Sequence, residues 1–459
     1  MSEGTLGLWN GMMAAAPVAP AERLIGDGGL VVLSPHPDDE TLGASALLLA
    51  AGRLGRRIGL VALTDGEGSH RASRQMPPPS LAALRVEEQR AAMAALGCAG
   101  AEELRLSLPD GASGRSPGFE EAAARIAALC DRIGATALAA PHPDDPHPDH
   151  HAAAELARRV RALRPALRLL HYEVWSRRLP PDAPFRSEGL VAFKVATDIA
   201  RKRGAIACHR SQLGLVVSDD PEGFVLPGWF LAAQEDPLER YGWEAMPGHV
   251  PGPEHFARLY AGDGDPWHVR SSAYEADKRA ASLAMLEGRR YASALEAGCG
   301  EGFLSRGLVE AGIAGAILGV DREPAIVERA RARTTSPDVR FAVGAMPDAL
   351  PEGAFDLVLL SEVLYFLNEA GLAALAGALS ARMVPGAHLL LVSYLGPTDT
   401  PLGGREAADV FAACLGAGAK TVRVSSTPDY RIELLEWRPA PPAAPAEGGG
   451  DRRGEAASA

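Results

Sequence analysis

The sequence predicts an α/β protein of two three-layer α/β/α domains with mostly parallel sheets, and three observations predict it. Short apolar runs of strand length alternate with longer segments that carry an apolar stripe at helical spacing, the order that buries a parallel sheet between helices. At 459 residues the chain is too long for one ordinary core and suggests two or three domains. The turns after the apolar runs are rich in acids, histidines and glycines, and that is where open α/β sheets carry their sites.

Residues 29–33 read as a buried strand and 41–54 as a helix, so the string H-P-D-D-E at 36–40 falls on the turn between them. Asp38, Asp39 and Glu40 would each be favourable against the positive end of that helix, by up to about 1 kcal/mol. Capping needs one acid, however, and leaves His36 and the stiffening Pro35 and Pro37 without a purpose. A chemical site is the stronger reading. Residues 58–64 form a second strand that ends in T-D-G-E-G at 64–68. Ser80 can cap the next helix and Gly97 stop it. Arg85 and Glu88, three apart on that helix, read as a surface ion pair.

A short strand over 103–106, an amphipathic helix over 119–133 and a strand over 136–140 continue the alternation. The following turn repeats P-H-P-D-D at 141–145 and goes on to H-P-D-H at 147–150. A polyproline-like linker would account for one copy. Two copies, each after a strand, point to chemistry.

A catalytic zinc site takes three ligands from His, Asp or Glu and keeps a position for water. His36 and Asp39 from one turn with His150 from the other supply that set. Asp38 is then placed as general base, and His147 as acid or oxyanion stabiliser. His142 and Asp144 are outer residues or decoys, and His142 or Asp145 could also approach the metal. Two histidines and a carboxylate also suit a non-haem iron oxygenase. Helices after the strands argue against the jelly-roll expected of that class.

With these residues in view, the first half resembles the PIG-L/LmbE family of zinc-dependent N-deacetylases, over about residues 25–215. H-P-D-D-E, T-D-G-E-G, R-x-x-E, H-P-D-H, H-Y-E-V-W at 171–175 and C-H-R-S-Q at 208–212 carry the resemblance. It implies metal ligands His36, Asp39 and His150, base Asp38, and His147 at the tetrahedral intermediate. Asp65, Arg85 and His209 are candidates for substrate contacts.

Residues 219–253, with many prolines and glycines and little periodicity, read as a connecting segment. Two helices then precede a strand over 291–296, which leads into E-A-G-C-G-E-G at 296–302. Glycines at 298, 300 and 302 let a ligand approach the backbone at a helix N-terminus. The dinucleotide fingerprint would need glycine where Phe303 stands, so NAD is disfavoured. A second strand over 316–320 ends at Asp321, about 20 residues on, where an acid meets ribose hydroxyls. A buried strand from Phe355 ends at Ser361 and Glu362. A helix running to Met383, Pro385-Gly386 and a strand over 387–394 complete the series.

This half resembles the Rossmann-like class I S-adenosylmethionine-dependent methyltransferases, over about residues 254–438. D-P-W at 265–267, S-x-Y-E-x-x-K at 272–278 and S-E-V-L-Y-F at 361–366 resemble its NodS-like branch, whose members N-methylate amino sugars. The resemblance implies cofactor contacts at Glu296, Gly298, Gly300, Gly302 and Asp321. It leaves Tyr274 and Glu362 as pocket candidates, Glu362 either orienting an amine or capping its helix.

The domains expected are an N-terminal extension over 1–24, a deacetylase over 25–218, the connection, a methyltransferase over 254–438 and a disordered tail over 439–459. A net charge of −12 disfavours nucleic acid or an anionic membrane as partner. No apolar run approaches the ~20 residues of a membrane span. Five scattered cysteines and the absence of a basic, apolar leader suggest a reducing cytoplasm. The function expected is hydrolysis of an N-acyl group, with an amino sugar favoured, followed by methylation of the freed amine. The alternatives are methylation of another nitrogen or of oxygen, and a regulator without turnover.

Overall fold

The computed structural model describes residues 4–246, 250–262 and 264–439; the expected tail beyond 439 lies outside them. Among the described residues, a first sheet is formed by β1 (Gly29–Ser34), β2 (Ile58–Ala62), β3 (Glu102–Arg105), β4 (Ala135–Pro141), β5 (Arg168–Tyr172), β6 (Leu190–Ala196) and β7 (Leu238–Glu244), in the order β3-β2-β1-β4-β5-β7-β6. A second is formed by β8 (Ala294–Ala297), β9 (Ile317–Asp321), β10 (Val339–Val343), β11 (Phe355–Ser361), β12 (Met383–Tyr394), β13 (Ala419–Ser426) and β14 (Tyr430–Trp437), in the order β10-β9-β8-β11-β12-β14-β13. Counted within each sheet, the two orders are the same. Both sheets are parallel except for β7 and β14, each inserted antiparallel to its neighbours. The strand order reverses at β1/β4 and at β8/β11, so each crevice opens at the carboxyl ends of those strands.

Local chemistry sets the elements. Every residue of β1 is buried, because helices cover both faces. The helix Phe119–Ile133 ends at Gly134, whose φ of 58° lets its N–H reach the Asp131 carbonyl. The helix expected over 41–54 is two, Asp39–Gly43 and Ser45–Arg53, broken at Ala44. Gly43 lies against the Tyr172 ring, where a Cβ would stand 2.2 Å from Cδ2. The next helix starts at Pro78, with Pro77 rather than Ser80 at its cap. The helix expected to reach Met383 stops at Ser380, and Met383 begins β12, with Pro385 and Gly386 inside the strand at a register shift.

The segment expected as a connection holds the helix Gly228–Ala233 and β7, so the first sheet extends to Glu244. The N-terminal extension is packed as well. Its helix Leu6–Ala15 buries Leu6, Trp9 and Met13 against Phe185 and Leu190.

The helices between the two sheets share one hydrophobic core. Leu24, Ile25 and Leu47 of the first half belong to the same buried cluster as Leu372, Leu375, Val410 and Phe411 of the second. Four buried charges cross this seam. Asp409 accepts from Arg23 at 3.0 Å and from Arg168 at 2.8 Å, and Glu433 takes the other side of Arg23. Arg23 is 9% exposed and the other three less, so neither the cations nor the acids have water to fall back on. Removing the central acid leaves Arg168 buried without its carboxylate and Arg23 with Glu433 alone. Asp409→Ala is therefore expected to cost about 3–5 kcal/mol, read as a lowered urea midpoint. Arg203→Ala, which breaks an exposed pair with Glu235, should leave the midpoint where it is.

Candidate active sites

The turn after β1 does not cap a helix. Asp38 is the N-cap residue of Asp39–Gly43 but makes no capping hydrogen bond. Its Oδ2 accepts from Arg85 Nη2 at 3.1 Å instead. Glu40 accepts from Ser34 Oγ at 2.6 Å and Gln89 Nε2 at 2.8 Å inside the core. Asp39 Oδ2 lies between two imidazoles, 3.1 Å from His36 Nδ1 and 3.2 Å from His150 Nε2. The pattern of three consecutive acids is thus divided among an arginine, a pair of histidines and a buried amide.

The two expected turns converge, and their residues are buried. His150, delivered by the first turn of the helix Pro148–Leu163, is fully enclosed. Its Nδ1 faces Asp145 Oδ1 at 3.1 Å, but among the described residues neither ring nitrogen has a partner in hydrogen-bonding alignment. Burial opposes charge on His150, yet Asp39 and Asp145 raise its pKa to about 9. Burial likewise opposes charge on His36, and hydrogen bonds to Asp110, Asp149 and Asp39 prevail, raising its pKa well above the usual range. Among the described residues, His36, His147 and His150 offer ligand atoms within 4.8 Å of one another, as do His36, Asp110 and Asp149, and Asp39 Oδ2 lies beside both His36 and His150.

Outer carboxylates aim the two rings. His36 Nε2 faces Asp149 Oδ2 at 3.1 Å and Asp110 Oδ1 at 3.4 Å. Asp149 is itself fixed by the N–H groups of Gly111 and Ser113 and by the Ser113 hydroxyl, and Asp145 by the N–H groups of Val174 and Trp175. Such carboxylate–imidazole pairs set the tautomer and orientation of a metal-binding histidine. The roles of Asp110 and Asp149 escaped the sequence reading. Asp149 lies inside H-P-D-H and could have been suspected; Asp110, in a loop without periodicity, could not.

The extra P-H-P-D-D divides in two. His142 stacks on Phe185 at 3.8 Å between ring centres, and Asp144 accepts from the Arg186 N–H at 2.6 Å, so both secure the loop before β6. Asp145 alone faces the site, through His150. His147, its ring 4.5 Å from that of His36, offers its Nδ1 to the Asp149 N–H, which leaves the proton of the neutral ring on Nε2. Burial and the two neighbouring histidines hold its pKa down to about 4.

Arg85 and Glu88 are not a surface pair; they are 3% and 6% exposed. Arg85 donates to the Gly66 carbonyl at 2.9 Å as well as to Asp38. A Cβ on Gly66 would lie 2.3 Å from the Arg85 guanidinium, which explains the glycine in T-D-G-E-G. Glu88 receives the Ser211 N–H and hydroxyl. His209 is buried beside Thr41 Oγ1 at 3.1 Å, its Nδ1 without a partner among the described residues, and burial together with Arg85 holds its pKa down to about 3. Asp65 is turned to Arg105, 2.9 Å away.

The second site is an open cavity in the crevice of the second sheet. Glu296, Gly298, Gly300, Asp321 and Glu362 line it, with Lys278, which the sequence reading had only as part of a motif. Asp321 accepts from the N–H groups of Gly300 at 2.9 Å and Glu323 at 3.0 Å, and so pins the glycine turn. Glu296 accepts from the Ser305 hydroxyl, and burial lifts its pKa to about 7. Glu362 caps no helix. It has φ of 54°, a strained value for a non-glycine residue, and it holds the Tyr274 hydroxyl and Lys278 Nζ, the latter at 2.8 Å.

The three glycines of the turn have different reasons. All have positive φ, but a Cβ at Gly302 would lie 2.2 Å from Phe341 Cζ, and one at Gly298 2.2 Å from Val363 Cγ1, whereas Gly300 meets no described atom within 4 Å. Gly300→Ala should therefore cost about 1 kcal/mol of backbone strain. Gly302→Ala should lower thermal stability distinctly more, and equal melting temperatures for the two variants would contradict this packing.

Residues 31–161 match the family model described as GlcNAc-PI de-N-acetylase, and residues 294–386 match that described as methyltransferase domain. Nodulation protein S of Rhizobium tropici is 30% identical over 132 residues, 28% of this chain and 55% of that protein. The 1D-myo-inositol 2-acetamido-2-deoxy-alpha-D-glucopyranoside deacetylase of Kineococcus radiotolerans is 31% identical over 153 residues, 33% of this chain and 40% of that protein. The chain thus spans about half the length of these curated relatives. The solved N-methyltransferase NodS of Bradyrhizobium japonicum, in complex with S-adenosyl-L-homocysteine, is matched over 97% of its length and 40% of this chain, with 20% identity and a TM-score of 0.36. This chain joins a PIG-L deacetylase domain at residues 31–161 to a methyltransferase domain at residues 294–386.

Proposed function

We propose that the first domain hydrolyses the N-acyl group of an amino sugar or glycoconjugate with the help of a divalent ion, zinc by its donor set, and that the second methylates the freed amine from S-adenosylmethionine. The observation that carries the first activity is the enclosed His150, its Nε2 3.2 Å from Asp39 Oδ2, within ligand range of His36 and His147 and with Asp38 adjoining. An acetamido sugar is the substrate in the name of the Kineococcus relative, which supports the substrate class. When bound, the metal polarises the amide carbonyl and acidifies water.

The chain's own residues do the rest. Asp38, held by Arg85 through Oδ2, takes a proton from the attacking water through its other oxygen and passes it to the leaving nitrogen. His147, with its proton on Nε2, donates to the oxygen that becomes negative. In the second domain the glycine turn brings backbone N–H groups to the cofactor, and Asp321, besides pinning the turn, has lone pairs left for ribose hydroxyls. Glu362 keeps lone pairs beyond those used by Tyr274 and Lys278, enough to accept from an amine and orient it.

His150→Ala should empty the metal site, read by metal analysis of the purified chain; a parental metal content would overturn the ligand set. Asp38→Asn should keep the metal and lose hydrolysis by about 100-fold or more. Asp321→Ala should weaken S-adenosylmethionine binding by about 1–3 kcal/mol in calorimetry, and NAD should not bind.

The order of the two reactions is set by the nitrogen. In an amide its lone pair is delocalised into the carbonyl, so it cannot attack a sulfonium methyl until the acyl group is gone. Given N-acetylated substrate and cofactor together, Asp38→Asn should make no N-methyl product, yet it should methylate the chemically deacetylated compound at the parental rate. Methylation of the intact amide by that variant would separate the two activities.

A further inference from the structure

The contacts across the seam fix how the two sites face. The first site stands at the carboxyl ends of β1 and β4, and the base of that sheet is marked by Asp27, by Arg168 at the start of β5 and by Met246 just past β7. The second site stands at the carboxyl ends of β8 and β11. The helix Glu369–Ser380 begins just beyond Leu364–Phe366, which follow β11, and the helix Gly404–Leu415 begins against Tyr394, the last residue of β12.

Three contacts then align the sheets. The Met246 N–H donates to Glu369 at 2.7 Å, joining the base of the first sheet to the site end of the second. Asp27 pairs with Arg405 in the first turn of Gly404–Leu415, making the same connection on the other side of the seam. At the far end of that helix, Gly416 lies against Pro17 and Val18, where a Cβ would stand 3.2 Å from Pro17 Cβ. Val18 bridges Lys194 in the upper half of β6, near the site end of the first sheet, while Gly418 just beyond lies beside Trp437 at the base of the second. The helix runs up one sheet and down the other. The buried Arg23, Arg168, Asp409 and Glu433 lie between these contacts and lock the relation.

We infer that the two active sites open at opposite ends of one rigid body, so that the amine freed at the first leaves into solvent and the second draws its acceptor from the free pool. The inference rests on the amine being the acceptor, as proposed above. Its chemical consequence is that any deacylation or amination reaction producing the same amine can supply the second site. The shared core leaves no path for a hinge to bring the sites together, since the layers between the sheets are a single packed cluster.

The test uses the full chain with zinc, S-adenosylmethionine and a ring-labelled N-acetylated amino-sugar glycoside that the first site hydrolyses, with and without excess unlabelled deacetylated glycoside. The label in the N-methyl product is expected to fall by the same factor as the amine pool is diluted. Label that resists the dilution would overturn the inference, because only a retained intermediate escapes mixing. Should the deacetylated glycoside not be methylated at all, the amine reading fails, and the geometry is then read without an acceptor. With Mn2+ in place of zinc, the 13C-methyl resonance of bound S-adenosylmethionine should keep its linewidth. Broadening that disappears in His150→Ala would place the two sites together and overturn the opposed arrangement.

Discussion

A charge removed from water must find a partner, and the structure follows from where this chain does so. Asp39 Oδ2, almost wholly enclosed, is shared by His36 and His150, and the far sides of those rings are held by Asp149 and Asp145. The loops that deliver these acids are fixed in turn by backbone N–H groups from 111, 113, 174 and 175. Four separate segments are thus bound to one point. At the seam the same constraint binds Arg23 and Arg168 to Asp409 and Glu433, and that joins the halves. Neither set is stabilising as isolated pairs would be at a surface. Their force is that the acids are shared, so the loss of one weakens several buried contacts at once.

The identical strand order of the two sheets shows how different chemistry is laid on one scaffold. In both, the crevice lies where the order reverses, between the first and fourth strands of the sheet. In the first, two acidic, histidine-rich turns meet there; in the second, a glycine turn meets a strained glutamate. Parallel strands make this possible because each carboxyl end can carry an independent loop while the buried strands beneath remain apolar.

What could be read from the sequence was what lies close along the chain. H-P-D-D-E and H-P-D-H place their donors within a few residues, and the strands beneath them are short apolar runs, so ligand candidates and the α/β alternation were visible. Arg85 and Glu88 were misread because the i, i+3 rule assumes a helix face in water. Glu88 is covered by Ser211, more than a hundred positions later, and Arg85 is turned inward to Asp38 and Gly66. Strand β7 was missed for a related reason. Tyr241, Gly242 and Trp243 stand among prolines and glycines, and only pairing on both edges makes the segment a strand.

The second glycine turn shows where local reading fails even when it names the right residues. Gly298, Gly300 and Gly302 share the sign of φ, and a motif treats them as equivalent. Two of the three are demanded by packing, against Val363 and Phe341, and only Gly300 faces open space. Asp321, expected to meet a ribose, also holds the Gly300 N–H, so the acid that would receive the ligand also shapes the turn that admits it. A residue that serves both purposes cannot be assigned a role by spacing alone, because the spacing is the same for either. The Gly300 N–H meets one carboxylate oxygen and the Glu323 N–H the other, a division that appears only when the strand ends are brought side by side.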